Sequence, residues 1–230
     1  VEERTVAQRL RSEWRAVPEF GAFSVALPWF SLLPRGDGHP VLVLPGYSTS
    51  DRSTIPLRSV LRRLGYRTHG WKLGANWGPD ETTVRGMTER LVELHARYGQ
   101  PLSLVGWSLG GVYGRGLARR HPAYVRQVIT LGSPFRSVER ERGWAPPAVP
   151  TTAIFSRRDA VVPWTEAVDE PAPRRENVEV DGSHFGLGHH PAVVLVVADR
   201  LAQRVGEWTA FRPPRGLRRL YPAGVSLARA

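Results

Sequence analysis

The stretch Leu102-Ser103-Leu104-Val105-Gly106-Trp107-Ser108-Leu109-Gly110-Gly111 decides how this chain reads. Residues 102–105 suit a short strand buried on both faces. From about Gly110 to Arg120 the sequence reads as a helix that stops before Pro122. Between them, Gly106-Trp107-Ser108-Leu109-Gly110 matches G-x-S-x-G. By composition such a match arises by chance in about one chain in seven of this length, so the pattern alone says little. Its setting says more, because a strand–turn–helix corner is what the motif requires. The turn is so tight that strand and helix backbones leave no room for a Cβ at residues 106 and 110, and Gly111 and Gly114 let the helix lie close on the strand. Ser108 then stands at the apex in a strained conformation, its hydroxyl exposed. A serine hydroxyl is a poor nucleophile near neutral pH; it needs a base, and the base needs an orienting acid.

Outward from this turn, strands alternate with helices. Val41–Leu44, Tyr66–Lys72, Val125–Leu131, Thr152–Phe155 and Asn177–Val180 read as further strands, the last of these closing the set. Leu57, Val60, Leu61 and Leu64 form one helical stripe, and Val84, Met87, Leu91, Leu94 and Tyr98 another, ended by Gly99. A further helix opens at Pro191 and carries Val194, Val197, Leu201 and Val205. This alternation predicts an α/β fold, a mostly parallel sheet with helices on both faces. Right-handed crossovers bring all strand C-terminal ends to one edge, where such folds hold their sites. At the N-terminus, Val6, Leu10, Trp14 and Val17 share one side of an expected helix, and residues 20–33, broken by Gly21 and Pro28, are expected to wrap the core. The chain thus divides into 1–37, a core of 38–206 and a basic tail of 207–230.

The acid and the base are sought at that same edge, downstream of Ser108. Asp159 directly follows the strand Thr152–Phe155. Asp169, in a polar loop, and Asp181, three residues before His184, compete with it. His184 follows the last strand through a glycine turn. The other histidines are placed less well. His121 follows the helix after the serine, His95 lies within a helix, His39 precedes a strand at the wrong edge and His69 lies inside one. His189 and His190 stand at a helix start, a capping position. An oxyanion hole needs two backbone N–H groups. Leu109, after the nucleophile, supplies one, and Tyr47 in Leu44-Pro45-Gly46-Tyr47-Ser48 is the expected other. Tyr47, Trp77, Trp107, Phe135, Trp164 and Phe185 are the expected apolar walls, Trp107 with a rival role in inward packing.

Composition sets the outer bounds. The 230 residues are 41% hydrophobic and 23% charged, ordinary globular usage that excludes a disordered or collagenous chain. No apolar run is long enough to span a bilayer. The absence of cysteine excludes disulfides, thiolate metal sites and a cysteine nucleophile, and leaves the redox compartment open. The net charge of +11 raises nucleic acid as a partner. Against that, Lys72 is the only lysine and the arginines are scattered, often beside acids as in Glu139-Arg140-Glu141-Arg142, so no nucleic acid is expected. Only the tail is lopsided, with Arg212, Arg215, Arg218, Arg219 and Arg229 and no acid after Phe211. It reads as a solvated tail or as a weak attraction to anionic membrane surfaces. No signal peptide is visible, which tips expectation toward the cytoplasm, although a chain beginning at Val1 leaves room for a leader already removed.

Taken together, the Leu-Pro-Gly-Tyr loop, Gly106–Gly110, the Ser-Arg-Arg-Asp segment ending at Asp159 and Gly-Ser-His ending at His184 resemble the α/β-hydrolase superfamily, in particular small bacterial lipases and esterases, over residues 38–206. Gly70–Gly78 with Pro79 is similar to a Gly-Trp-x-Leu-Gly-x-Asn segment of bacterial α/β-hydrolases of unassigned substrate. The resemblance implies a serine hydrolase with Ser108, Asp159 and His184 as triad, Tyr47 and Leu109 as oxyanion donors, and neither cofactor nor metal. Small-molecule, lipid or polymeric esters are the implied substrates. One departure stands out. The connection Gly132–Pro150, where most members insert a cap, is too short for one, which predicts an open, lidless cleft. An acyltransferase, thioesterase or amidase would use the same residues. A basic membrane-peripheral or nucleic-acid-binding protein with an idle hydrolase fold is the alternative of another class.

Overall fold

Six short runs become parallel strands: β1 (Pro40–Leu44), β2 (Arg67–Gly70), β3 (Leu102–Trp107), β4 (Val125–Leu131), β5 (Thr151–Phe155) and β6 (Arg175–Glu179). A seventh, β7 (Val225–Leu227), pairs antiparallel with β6, and the sheet order is β2-β1-β3-β4-β5-β6-β7. The computed structural model describes residues 13–222 and 225–227. Among the described residues six helices surround the sheet: α1 (Ala16–Ala26), α2 (Ile55–Arg63), α3 (Glu81–Tyr98), α4 (Leu109–Arg120), α5 (Phe135–Glu141) and α6 (Pro191–Leu201).

The strands alternate which face they feed. Val41 and Val43 of β1 join a core with Leu57 and Leu61 of α2 and Val193 and Val197 of α6. Leu42 and Leu44 point the other way, into a core with Met87, Leu91 and Leu94 of α3 and Leu117 of α4. Each such side chain, fully removed from water, contributes roughly 1.5–3 kcal/mol. Asp80 caps α3, its carboxylate accepting the Thr83 N–H at 2.6 Å, and Gly99 ends the helix at φ 64°. With six strands running the same way and both faces covered, the strand C-terminal ends collect along one rim.

Three expectations are corrected. Gly21 does not break the segment: the helix Ala16–Ala26 runs through it, at a position where a Cβ would meet nothing within 4 Å. Val6 and Leu10 lie outside the described residues, and Trp14 is exposed rather than on a packing stripe. Asn177–Val180 is not the last strand, because β7 follows it and covers the sheet edge. The tail's arginines 212, 215, 218 and 219 are solvated, but the segment itself is anchored by buried Phe211 and Tyr221, the latter donating from its hydroxyl to the Ala192 carbonyl at 3.0 Å. As expected, the connection between β4 and β5 holds no cap; it contains only the short helix α5. Glu139 of α5 is bound by Arg115 of α4 at 2.7 Å and by Arg119, and the Arg115 guanidinium also holds Asp169 at 2.7 Å. Removing one member of such a buried network typically costs about 3–5 kcal/mol, so α5 is fastened to the body.

Candidate active site

Ser108 stands just beyond β3, at φ 53° and ψ −124°, a strained conformation for a residue with a side chain. The close approach that forces it is visible in the flanking glycines. A Cβ on Gly106 would lie 2.3 Å from the Gly111 Cα, and one on Gly110 would lie 2.3 Å from the Leu44 carbonyl oxygen. The Ser108 N–H is tied to the Leu131 carbonyl at 2.8 Å, fixing the turn to the end of β4. The residue is half-buried, and its hydroxyl has no hydrogen-bond partner among the described residues.

Asp159 and His184 meet at the end of β4. His184 Nδ1 lies 2.7 Å from Asp159 Oδ2, and both side chains are buried. The other carboxylate oxygen accepts the N–H groups of Val161 (2.9 Å) and Val162 (2.7 Å), so the acid cannot swing away. With the carboxylate as acceptor, Nδ1 carries the proton and Nε2 keeps its lone pair. Gly132, directly after Leu131, marks the junction: a Cβ there would be 2.8 Å from Asp159 Oδ2 and 3.4 Å from His184 Nδ1. Trp107, the neighbour of Ser108, donates its indole N–H to the His184 carbonyl at 3.1 Å, binding the histidine loop to the serine turn.

The two competing acids are occupied elsewhere. Asp169 accepts two bonds from Arg115 and one from the Thr151 hydroxyl, and Asp181 pairs with Arg158 at 2.9 Å and Arg15 at 3.5 Å. His189 is not a cap: its Nε2 lies 3.3 Å from the Ala16 carbonyl oxygen. His190 caps α6 by accepting the Ala192 N–H at 3.2 Å, and His95 and His121 stack on Tyr124.

The loop after β1 passes directly over the serine, since a Cβ on Gly46 would lie 3.2 Å from the Ser108 Cβ. Asn76 holds this loop in place. Its side-chain amide donates to the Pro45 carbonyl at 2.9 Å, its backbone carbonyl accepts the Ser48 N–H at 2.7 Å, and Tyr113 donates to its Oδ1 at 3.2 Å. Asn76 is fully buried, which gives the Gly70–Gly78 segment a physical purpose. Between these ties, the Tyr47 and Leu109 N–H groups have no acceptor among the described residues.

Two of the expected walls are not walls. Phe135 is buried in a cluster with Val112 and Ala153, beneath the Arg115 guanidinium at 3.9 Å, because the first turn of α5 faces the core. Trp107 is also buried, its indole turned inward to the His184 carbonyl. Trp164 is half-buried against Phe155, with Arg157 over its ring at 3.9 Å. Tyr47, Trp77 and Phe185 remain exposed, Tyr47 and Trp77 edge to face at 6.1 Å. A cavity of about 330 Å³ lined by Pro122, Arg126 and Trp208 touches none of these groups.

Two residues of this site have no signal in the sequence. Glu13 is buried, and one carboxylate oxygen accepts both the Ala160 N–H and the His184 N–H at 3.1 Å, while the other accepts the Phe185 N–H at 3.0 Å. Glu19 accepts the Ser183 N–H at 2.9 Å and its hydroxyl at 2.5 Å. The partners are mostly backbone groups more than 140 residues away, and nothing in a local pattern marks them.

No protein-family model matches the chain, and no curated protein is similar to it at a significant level. Solved structures do match. A "predicted CIB-like hydrolase" from Thermoplasma acidophilum aligns at TM-score 0.55 and 16% identity over 71% of this chain and 86% of that one. Lipase B of Aspergillus fumigatus aligns at TM-score 0.60 and 15% identity over 73% of this chain and 53% of that one. A Bacillus licheniformis lipase in propeptide form aligns at TM-score 0.57 and 17% identity, over 77% and 53%. The fold is that of the α/β-hydrolases.

Proposed function

We propose that the chain is a serine hydrolase that cleaves carboxylic esters through an acyl-enzyme on Ser108. One observation carries the reading: an unpaired serine on a strained strand–helix turn, joined through β4 and Trp107 to a buried Asp159–His184 pair at 2.7 Å. In this reading His184 Nε2 takes the Ser108 proton as the oxygen attacks the ester carbonyl. The Tyr47 and Leu109 N–H groups receive the developing oxyanion; each donor of this kind is worth about 10²–10³ in turnover. The proton passes to the departing alkoxide, and His184 then draws one from the water that cleaves the acyl-enzyme. Asp159 keeps the imidazole in the required tautomer and stabilises its charge. The open rim beside Tyr47, Trp77 and Phe185, with α5 fastened down, favours bulky or extended esters over small enclosed ones.

A fluorophosphonate probe tests this. The expected result is one covalent adduct, located at Ser108 by peptide mass spectrometry, with labelling and p-nitrophenyl ester turnover both lost in Ser108→Ala and the far-ultraviolet circular dichroism unchanged. Turnover surviving in that variant would sink the assignment.

A further inference from the structure

Helix α1 buries Phe23 in the core but leaves most of its large apolar side chains in water. A surface helix normally buries its apolar stripe and shows charge to water. Here the acids Glu13 and Glu19 face inward, while Trp14 (76% exposed), Val17 (69%), Phe20 (49%) and Val25 (75%) face outward, continued by Trp29 (68%) and Leu32 (76%) of the following 3₁₀ turn. Scattered exposed hydrophobics are ordinary; six large ones within one short segment are not. The segment cannot spare its inward carboxylates, because they hold the backbone of residues 183–185. These six side chains are therefore left to face something other than the core.

Arginines border this face. Arg35 and Arg63 are exposed and line one shallow cavity with Leu27, Pro28 and Phe30. Among the described residues neither of these arginines is in an ion pair. At 11 residues, α1 is too short to cross a bilayer but suits one that lies in its interface. Two tryptophans and an unpaired arginine fringe are what a headgroup region of negative charge accommodates. A second copy of the chain fits less well, since at net +11 two such fringes would repel.

We infer that the outer face of α1 and the Trp29–Leu32 turn dock the protein onto an anionic lipid surface. This docking goes beyond the chemistry proposed above and does not depend on it, but the two are adjacent: the inner side of the docked helix holds the His184 loop.

The test is co-sedimentation of the full chain with vesicles of phosphatidylcholine alone and with about 30% phosphatidylglycerol, followed also by tryptophan emission. The expected result is binding to the anionic vesicles with a blue shift, weakened at least about ten-fold by Val25→Ser/Trp29→Ser/Leu32→Ser and by about 0.5 M salt. Arg35→Glu/Arg63→Glu should weaken binding to anionic vesicles only. All substituted side chains are exposed, and unchanged circular dichroism verifies the fold. No binding at low salt overturns the inference. So does a dimer in sedimentation that the triple variant dissolves, which would make the face a self-association surface. Running the Ser108→Ala chain alongside separates the two readings: if it binds while the unaltered chain hydrolyses nothing, only the hydrolase assignment fails, and hydrolysis without binding fails only the docking.

Discussion

The sheet carries a hydrogen-bonded Asp–His pair at each end, and the two differ in how a serine stands to them. At the C-terminal rim, Asp159 holds His184 at 2.7 Å and Ser108 is free. At the opposite end, Asp37 Oδ1 lies 2.5 Å from His39 Nδ1, and His39 Nε2 lies 2.8 Å from Ser103 Oγ. The second arrangement is the more completely hydrogen-bonded, yet it is the less suited to chemistry. Ser103 and His39 are entirely buried, and Gln127 also donates to the Ser103 hydroxyl at 3.3 Å. Ser103 points sideways from the body of β3; Ser108, five residues and roughly 17 Å further along, sits on a turn with two unsatisfied N–H groups beside it. A chain of hydrogen bonds does not make a nucleophile. Access, a spare lone pair on the base and donors for the oxyanion do.

Exchanging the serines separates the two ends most sharply. Ser108→Ala should lower ester kcat by about a million-fold with stability little changed. Ser103→Ala should leave kcat within about two-fold and lower stability by roughly 1–3 kcal/mol in urea unfolding, because it strands a buried imidazole nitrogen. Equal losses of activity in both variants would erase the distinction. The acids should divide in the same way. Asp159→Asn is expected to drop kcat by about 10⁴, whereas Asp37→Asn should show up in the melting temperature and not in turnover.

A smaller effect sharpens what the rim requires. In Glu13→Gln one of the two acceptor oxygens becomes an NH₂ group facing a backbone N–H. We expect kcat to fall about ten-fold while KM moves less than about three-fold, since the change displaces the His184 loop rather than the substrate walls. Equal scaling of both constants would argue that Glu13 only supports the fold.

The mildest prediction concerns pH and reads the buried end. Burial pushes the His39 imidazole below its ordinary 6.5, against the upward pull of Asp37, and burial likewise lowers His189, His190 and, to about 4, His69. Below 6.5 the unfolded chain therefore binds protons that the folded chain refuses, so stability is full above that value and declines as pH falls toward 4. Asp37 adds to the loss at the acid end. Its burial favours the neutral form, but bonds from Arg126 and His39 outweigh this and hold its pKa below the usual carboxylate range. Urea midpoints at pH 7.5, 6 and 4.5 should fall in that order; a flat profile would mean that these imidazoles protonate without resistance.

Most of the rim was legible because its signals are local. Gly106, Ser108 and Gly110 occupy a pattern that steric crowding alone explains, and Asp159 and His184 each follow a recognisable strand. The capping role of His190 was readable from its place before Pro191. Phe135 was misread as a wall because its closeness to the end of β4 does not reveal which way the first turn of α5 faces. The tail looked uniformly solvated because its arginines outnumber Phe211 and Tyr221, which are the residues that anchor it. The lone histidine before β1 was set aside for its position, with no hint of the partners it finds in Asp37 and Ser103.

By itself the sequence determined the alternating strands and helices, the edge at which chemistry would collect and the three side chains placed there, because periodicity and tight turns are properties of neighbouring residues. Tertiary structure alone decided that Glu13 and Glu19 reach across the chain to hold the histidine loop, that α1 leaves Val17, Phe20 and Val25 in water while burying Phe23, and that Ser103 is sealed while Ser108 is open. Those outcomes depend on which backbone N–H groups lie within reach of a carboxylate and on which side of a packed layer a group falls, and chain order carries no record of either.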